Sequence, residues 1–230
     1  MITLCIETTT ARIGIAVTED GKLLAETLID ASAGHQNNLL IPEIKHLLNK
    51  KGLTVQQIEL FACAAGPGSF TGVRTGIATI QGLAFATDKP CITVSTLAML
   101  AMNIPVSDIP VCPMLDARKN EIYTALYQIS DLPVPLKPDS AISPDKFLDE
   151  LTTPTIFLGD GALRYQDLIK LRLGKNAIFA PLICNALRPS AGCLIAEYSH
   201  RNNGTAVSPE FLKPAYHRLS EAEISRQKKI

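Results

Sequence analysis

The chain has 230 residues, 47% of them hydrophobic and 19% charged, with no tryptophan. A chain of that size buries roughly 70–75% of its unfolded surface, so it needs neither disulfides nor a structural metal to hold it. Its 22 basic and 22 acidic residues cancel, which argues against a protein that grips nucleic acid unaided, because such proteins carry a basic excess.

The first elements read as an antiparallel meander. "ITLCIE" is a buried strand, "RIGIAVTE" a second across a short threonine turn, and Asp20–Gly21 a hairpin signal leading into "KLLAETLI". "HQNNLLIPEIKHLLNKKG", about His35–Lys51, carries Leu39, Leu40, Ile44, Leu47 and Leu48 at helical spacing and closes at Gly52. Pro42 either starts that helix near residue 40 or kinks it. "IELFACAA" is an apolar strand, "AAGPGSF" turns into a helix from about Phe70 to Thr87, and "PCITVS" is another strand. Three antiparallel strands followed by helix, strand, helix, strand is the RNase H-like plan, an α/β lobe with a mixed sheet flanked by helices.

After residue 104 the texture changes, and "NIPVSDIPVCP" marks a boundary between lobes of residues 1–104 and 105–230. Strands "VCPMLDA" and "EIYTALYQI" follow, joined by a polar turn at Arg118–Asn120, then a proline-rich connector, "DLPVPLKPD". "TIFLGDG" reads as a strand, "ALRYQDLIKLRLG" and "SAGCLIAEYSHRNNG" as helices, and the tail from Ser208 as a polar, frayed end. The second half looks like a reduced echo of the first. Glu7 and Arg12 interrupt the N-terminal apolar run, and no run reaches transmembrane length, so neither signal peptide nor membrane span is expected and the cytoplasm is the expected location. The six cysteines include no C-x-x-C pair. They read as small buried side chains of a reducing compartment rather than as a metal or redox site.

Several stretches invite a chemical reading. Glu7-Thr8-Thr9-Thr10 ends the first strand and suits a phosphate loop, with backbone N–H groups and hydroxyls on phosphate and the carboxylate on Mg²⁺ through water. The same residues also suit a plain polar β-turn. Asp116, in "LDARKNEIY", is either a second carboxylate facing Glu7 across a cleft or half of a surface ion pair with Arg118. "GDGA", Gly159–Ala162, would abut a nucleoside, but a lone G-x-G is weak. His35, His46, His200 and His217 form no pair at metal-ligand spacing, and no G-x-S-x-G occurs.

The segment "GPGSFTGVRTGIATIQGLAF" fails as a P-loop, because Val73-Arg74 stand where Lys-Ser is required. Its helix is nonetheless unusual. Gly72 and Gly76 lie four apart, and Ala78, Gly82 and Ala86 form a second row. Glycine inside a helix costs up to ~1 kcal/mol, so a close neighbour must compensate. One row would serve the chain's own sheet and two rows invite a partner chain, although purely internal packing of both rows is an equal alternative on sequence alone.

Together "ETTTARIGIAV", "GPGSFTGVRTGIATIQGLAF" with "VSTL", "LDARKNEIY" and "KPAYHR" resemble the bacterial TsaB family, also called YeaZ, over nearly the whole chain. The resemblance implies an actin-like, sugar-kinase-like (ASKHA) fold of two RNase H-like lobes. It also implies a non-catalytic scaffold in making N6-threonylcarbamoyladenosine at position 37 of ANN-decoding tRNAs. The catalytic paralogue TsaD and the ATPase TsaE are the implied partners, with a homodimer as a further pairing and tRNA engaged only within the complex. The implied partner interface lies on two N-lobe helices, at Leu39, Leu40, Glu43, Leu47, Phe70, Thr71, Gly72, Arg74, Thr75, Gly76, Thr79 and Leu83. Where TsaD carries an H-x-x-x-H metal pair this chain has Ser95, Thr96, Met99 and Leu100, so no metal ligands and no catalytic residues are expected. ADP or ATP with Mg²⁺ is expected only at the joint with TsaD. The chain departs from the family at Glu7, where Asp is usual, and the longer side chain would displace a Mg²⁺-bridging water. Two rival readings are an ASKHA ATPase or phosphotransferase using Glu7 and Asp116 around Mg²⁺, and a glycoprotein metallopeptidase.

Overall fold

A computed structural model describes residues 1–31 and 36–217, and the side chains of 36–38 are left aside. His35 and the tail beyond residue 217 lie outside the described residues.

The first sheet is built from β1 (Ile2–Glu7), β2 (Arg12–Glu19), β3 (Lys22–Asp30), β4 (Leu60–Ala64) and β5 (Cys91–Val94), in the order β3-β2-β1-β4-β5. β1, β2 and β3 pair antiparallel, and β1, β4 and β5 pair parallel. Alternation along the strands splits the sheet into two buried faces. Leu4, Ile6, Phe61 and Cys63 point to one side, where α1 (Gln36–Lys50) and α2 (Phe70–Thr87) supply Leu40, Ile44, Leu47, Val73 and Ile80. Cys5, Ala16 and Ala62 point to the other, against α3 (Thr96–Ala101) and α7 (Pro189–Asn203). The helix expected over Phe70–Thr87 has those limits, and α1 runs through Pro42.

The second sheet comprises β6 (Ser107–Arg118), β7 (Glu121–Ile129), β8 (Pro133–Ile142), β9 (Thr155–Leu158) and β10 (Ala177–Phe179), in the order β10-β9-β6-β7-β8. Reversed, that is the order of the first sheet, with the same antiparallel meander and parallel extension. The echo in sequence is therefore a repeat in topology. Three short helices pack on it: α4 (Pro144–Leu148), α5 (Asp160–Arg164) and α6 (Gln166–Leu173).

Several expectations need correcting. The proline-rich connector "DLPVPLKPD" forms most of β8. Proline is tolerated there because β8 is an edge strand whose outer N–H groups need no ladder partner. The single helix expected over "ALRYQDLIKLRLG" breaks at Tyr165, whose φ of −102° and ψ of 20° end α5 and open α6. The lobe expected over 105–230 is also interrupted, since α7 returns to the first sheet and the segment after it stays there. Val207 bridges Cys91, and Leu212 is buried in the first lobe's core. Among the described residues, 189–215 thus pack with the first lobe.

Candidate functional site

Two features converge around the β1–β2 turn: the contact between that turn and α2, and the cleft between the lobes. The turn is closed on itself. Glu7 is 1% exposed, and its carboxylate accepts the Thr9 N–H and the hydroxyls of Thr9 and Thr10. Burial raises its pKa above the ordinary carboxylate value, although those donors pull the other way. Thr8 donates its hydroxyl to the Gly72 carbonyl at 2.7 Å, and Thr9 Oγ1 lies 3.2 Å from Thr96 Oγ1. Of the five residues expected to bind nucleotide, only Thr10 borders the cleft.

Asp116 is held by the second lobe. Its carboxylate pairs with Arg164 and accepts the Arg118 backbone N–H, so the ion pair expected with the Arg118 side chain goes to Arg164 instead. Asp160, the acid within "GDGA", accepts the Asp116 N–H and lines the cleft. Desolvation raises its pKa, and the nearby Asp116 charge adds to this. "GDGA" owes its glycines to packing: a Cβ at Gly161 would come within 2.8 Å of the Leu115 backbone. The cleft itself encloses about 580 Å³ between Thr10, Ala11 and Arg12 on one side and Leu163, Leu182 and Ile183 on the other. Its walls are mainly apolar. A Mg²⁺-nucleotide held by Glu7 and Asp116 does not fit this arrangement, because one carboxylate is sealed in its own turn and the other is neutralised by Arg164.

Where a paired-histidine metal site would fall, α3 begins. Ser95 caps it, accepting the N–H groups of Leu97 and Ala98, and donates its hydroxyl to Asp139 on β8. Tyr127 donates to the other Asp139 oxygen, Oδ1, at 2.7 Å, and His217 Nε2 stands 4.0 Å from Oδ2, the oxygen that Ser95 holds. Thr96, Met99 and Leu100 are fully buried. Among the described residues no three His, Cys, Asp or Glu side chains converge as metal ligands would. Asp139 had no sequence signal, since a lone acid in a proline-rich run carries no pattern.

The glycine-rich helix presents two different faces. A Cβ on Gly72 would lie 1.9 Å from the Thr8 carbonyl oxygen, and one on Gly76 would lie 2.6 Å from Thr8 Oγ1. That row is kept small by Thr8 in the chain's own β1–β2 turn. It is not available to a partner, and with Leu40 (1% exposed) and Leu47 (3% exposed) it drops out of the expected interface. The second row is open: Ala78, Gly82 and Ala86 are exposed, and nothing lies within 4 Å of a Cβ built on Gly82. Phe70, Thr71 and Arg74 are also exposed, Thr75, Thr79 and Leu83 on the same helix are half-buried, and so are Leu39 and Glu43 on α1. Phe85, 60% exposed, extends the row and was missed.

Two lobes with duplicated mixed five-stranded sheets flanked by helices give this chain the actin-like, sugar-kinase-like fold. Comparison with known proteins narrows it. Residues 29–189 match the family model described as TsaD, tRNA N6-adenosine threonylcarbamoyltransferase. The Bacillus subtilis tRNA threonylcarbamoyladenosine biosynthesis protein TsaB is 30% identical, covering 97% of this chain and 96% of that protein. Its Escherichia coli counterpart is 29% identical over 95% of each. A solved Pseudomonas aeruginosa protein, described as similar to peptidase YeaZ, superposes with a TM-score of 0.78 at 25% identity, covering 94% of this chain and 99% of that one. The chain belongs to the TsaB (YeaZ) family.

Proposed function

We propose that this chain is the accessory subunit in forming threonylcarbamoyladenosine on tRNA in the cytoplasm. In this reading it pairs with a TsaD-type threonylcarbamoyltransferase through the exposed flank of α2, recruits the ATPase TsaE, meets tRNA only within that assembly, and turns nothing over alone. The observation that carries the reading is the bare row Ala78, Gly82, Phe85 and Ala86 on an 18-residue helix whose only charge is Arg74. A water-facing helix flank normally carries charge. An apolar flank with a glycine groove suits a second helix lying close. The homodimer uses the same flank, in competition with the heterologous pair.

The ATPase reading through Glu7 and Asp116 is disfavoured by their internal bonding, and a peptidase reading by Ser95, Thr96, Met99 and Leu100, which offer no imidazole pair. The test is reconstitution. The pure chain is expected to leave tRNA unmodified, with modification appearing when the TsaD-type enzyme and TsaE are added. Gly82→Leu is expected to abolish that activity while the chain stays folded. Modification by the chain alone, or full activity of the Leu variant, refutes the reading.

A further inference from the structure

The segment after α7 does not trail off but crosses the first lobe as a strap. Val207 and Cys91 exchange backbone hydrogen bonds of 2.8 and 2.9 Å at the β5 edge. Gln81 on α2 donates to the Pro209 carbonyl, Leu212 is buried, and the Ala215 N–H donates to Ala65 at the base of the glycine-rich loop. The strap therefore follows α2 backwards, from its middle to its N-terminus. There Tyr216 stacks on Phe70 with ring centroids 5.0 Å apart. The Arg74 guanidinium lies 3.9 Å over the Phe70 ring, and its Nε–H donates to the Tyr216 hydroxyl at 3.1 Å.

We infer that the strap, through Tyr216, holds Phe70 and Arg74 as a preformed anchor that receives a carboxylate-bearing helix of the partner subunit. The inference rests on the α2 reading above and adds what completes that face and which chemistry it selects. Three observations support it. Phe70, Arg74 and Tyr216 are exposed together, and Phe, Tyr and Arg are residue types over-represented in the energetic centres of interfaces. Their mutual contacts fix rotamers in the free chain that would otherwise have to be ordered on binding. Finally, Arg74 is the sole charge between Phe70 and Thr87, and among the described residues no carboxylate pairs with it. Stacking leaves the terminal guanidinium nitrogens free of the Nε bond, and these are the groups that bind carboxylates in a fork. An apolar groove ending in a cation that no described carboxylate neutralises matches a helix bearing one acid at the corresponding end.

The experiment is a calorimetric titration of the full chain with the TsaD-type enzyme of the same cell, at low and high ionic strength, for Tyr216→Ala, Tyr216→Phe, Arg74→Gln and Gly82→Leu. Tyr216→Ala and Arg74→Gln are each expected to weaken pairing by about tenfold or more. Arg74→Gln is also expected to flatten the salt dependence, because the ion pair it removes is screened by salt. Tyr216→Phe keeps the ring and loses only the acceptor for Nε–H, so it is expected to fall between wild type and Tyr216→Ala. Wild-type affinity for Tyr216→Ala and Arg74→Gln overturns the inference. If Gly82→Leu still blocks pairing in that case, the α2 reading survives alone; if Gly82→Leu pairs normally too, both fall. An unchanged salt slope in Arg74→Gln overturns the carboxylate. An effect confined to self-association makes the occupant a second copy of this chain and likewise overturns it.

Discussion

Gly72 and Gly82 lie on one helix, ten residues apart, and alanine should act on them with opposite signs. At Gly82 a methyl group meets nothing within 4 Å. Gly82→Ala therefore removes only the backbone entropy cost of a helical glycine, a gain of about 0.5–1 kcal/mol. For a chain of this length that raises the melting temperature by about 1–4 °C. At Gly72 the same methyl group would sit 1.9 Å from the Thr8 carbonyl oxygen. The helix must lift off the β1–β2 turn, disturbing the 2.7 Å bond from Thr8 Oγ1 to the Gly72 carbonyl. Overpacking costs about 1–3 kcal/mol, and a strained buried hydrogen bond about 1 kcal/mol more. Less the same propensity gain, the net loss is about 1–3.5 kcal/mol, lowering the melting temperature by about 2–14 °C. Thermal unfolding of both variants followed by circular dichroism, with urea titrations to confirm that the m-value is unchanged, measures the contrast. A Gly72→Ala protein as stable as Gly82→Ala would refute the claim that the first row is held by the β1–β2 turn.

The raised pKa of Glu7 makes the pH dependence of stability predictable in sign. The folded state favours its protonated form, so its contribution is fully present below the ordinary glutamate value of about 4.3 and is lost as pH rises through the folded value. Glu7→Gln, which cannot ionise, should gain stability relative to wild type between acid and neutral pH, and parallel melting curves across that range would contradict the assignment. Thiol chemistry offers another check. Burial pushes Cys112 up to about 12 and Cys91 up to about 11, and Cys5 and Cys63 are raised as well. Cys184 alone among the six is not buried. A thiol reagent should therefore label Cys184 first in the native protein and the others only on denaturation; rapid native labelling of Cys63 or Cys112 would be inconsistent with this core.

Much of the architecture was legible because it is written in local periodicity. The strands alternate, the helix over Phe70–Thr87 opens at a capping Ser69, and Asp20–Gly21 takes positive φ at both positions, as a tight hairpin requires. The proline-rich β8 was not legible, since proline reads as a connector until a strand is known to lie at a sheet edge. Nor was the return of α7, because a helix's apolar stripe does not say which sheet it covers.

The site divides in the same way. Sequence determined that α2 carries more small residues than a helix would keep without cause, and that the imidazoles of a metal pair are missing at Ser95 and Met99. Only the tertiary structure decided that Gly72 and Gly76 belong to Thr8 while Gly82 faces open space, because spacing fixes which residues share a row and not what lies opposite. Likewise, nothing in "KPAYHR" could reveal that Tyr216 rests on Phe70, a contact between positions 146 residues apart that exists only once the strap has been laid along the helix.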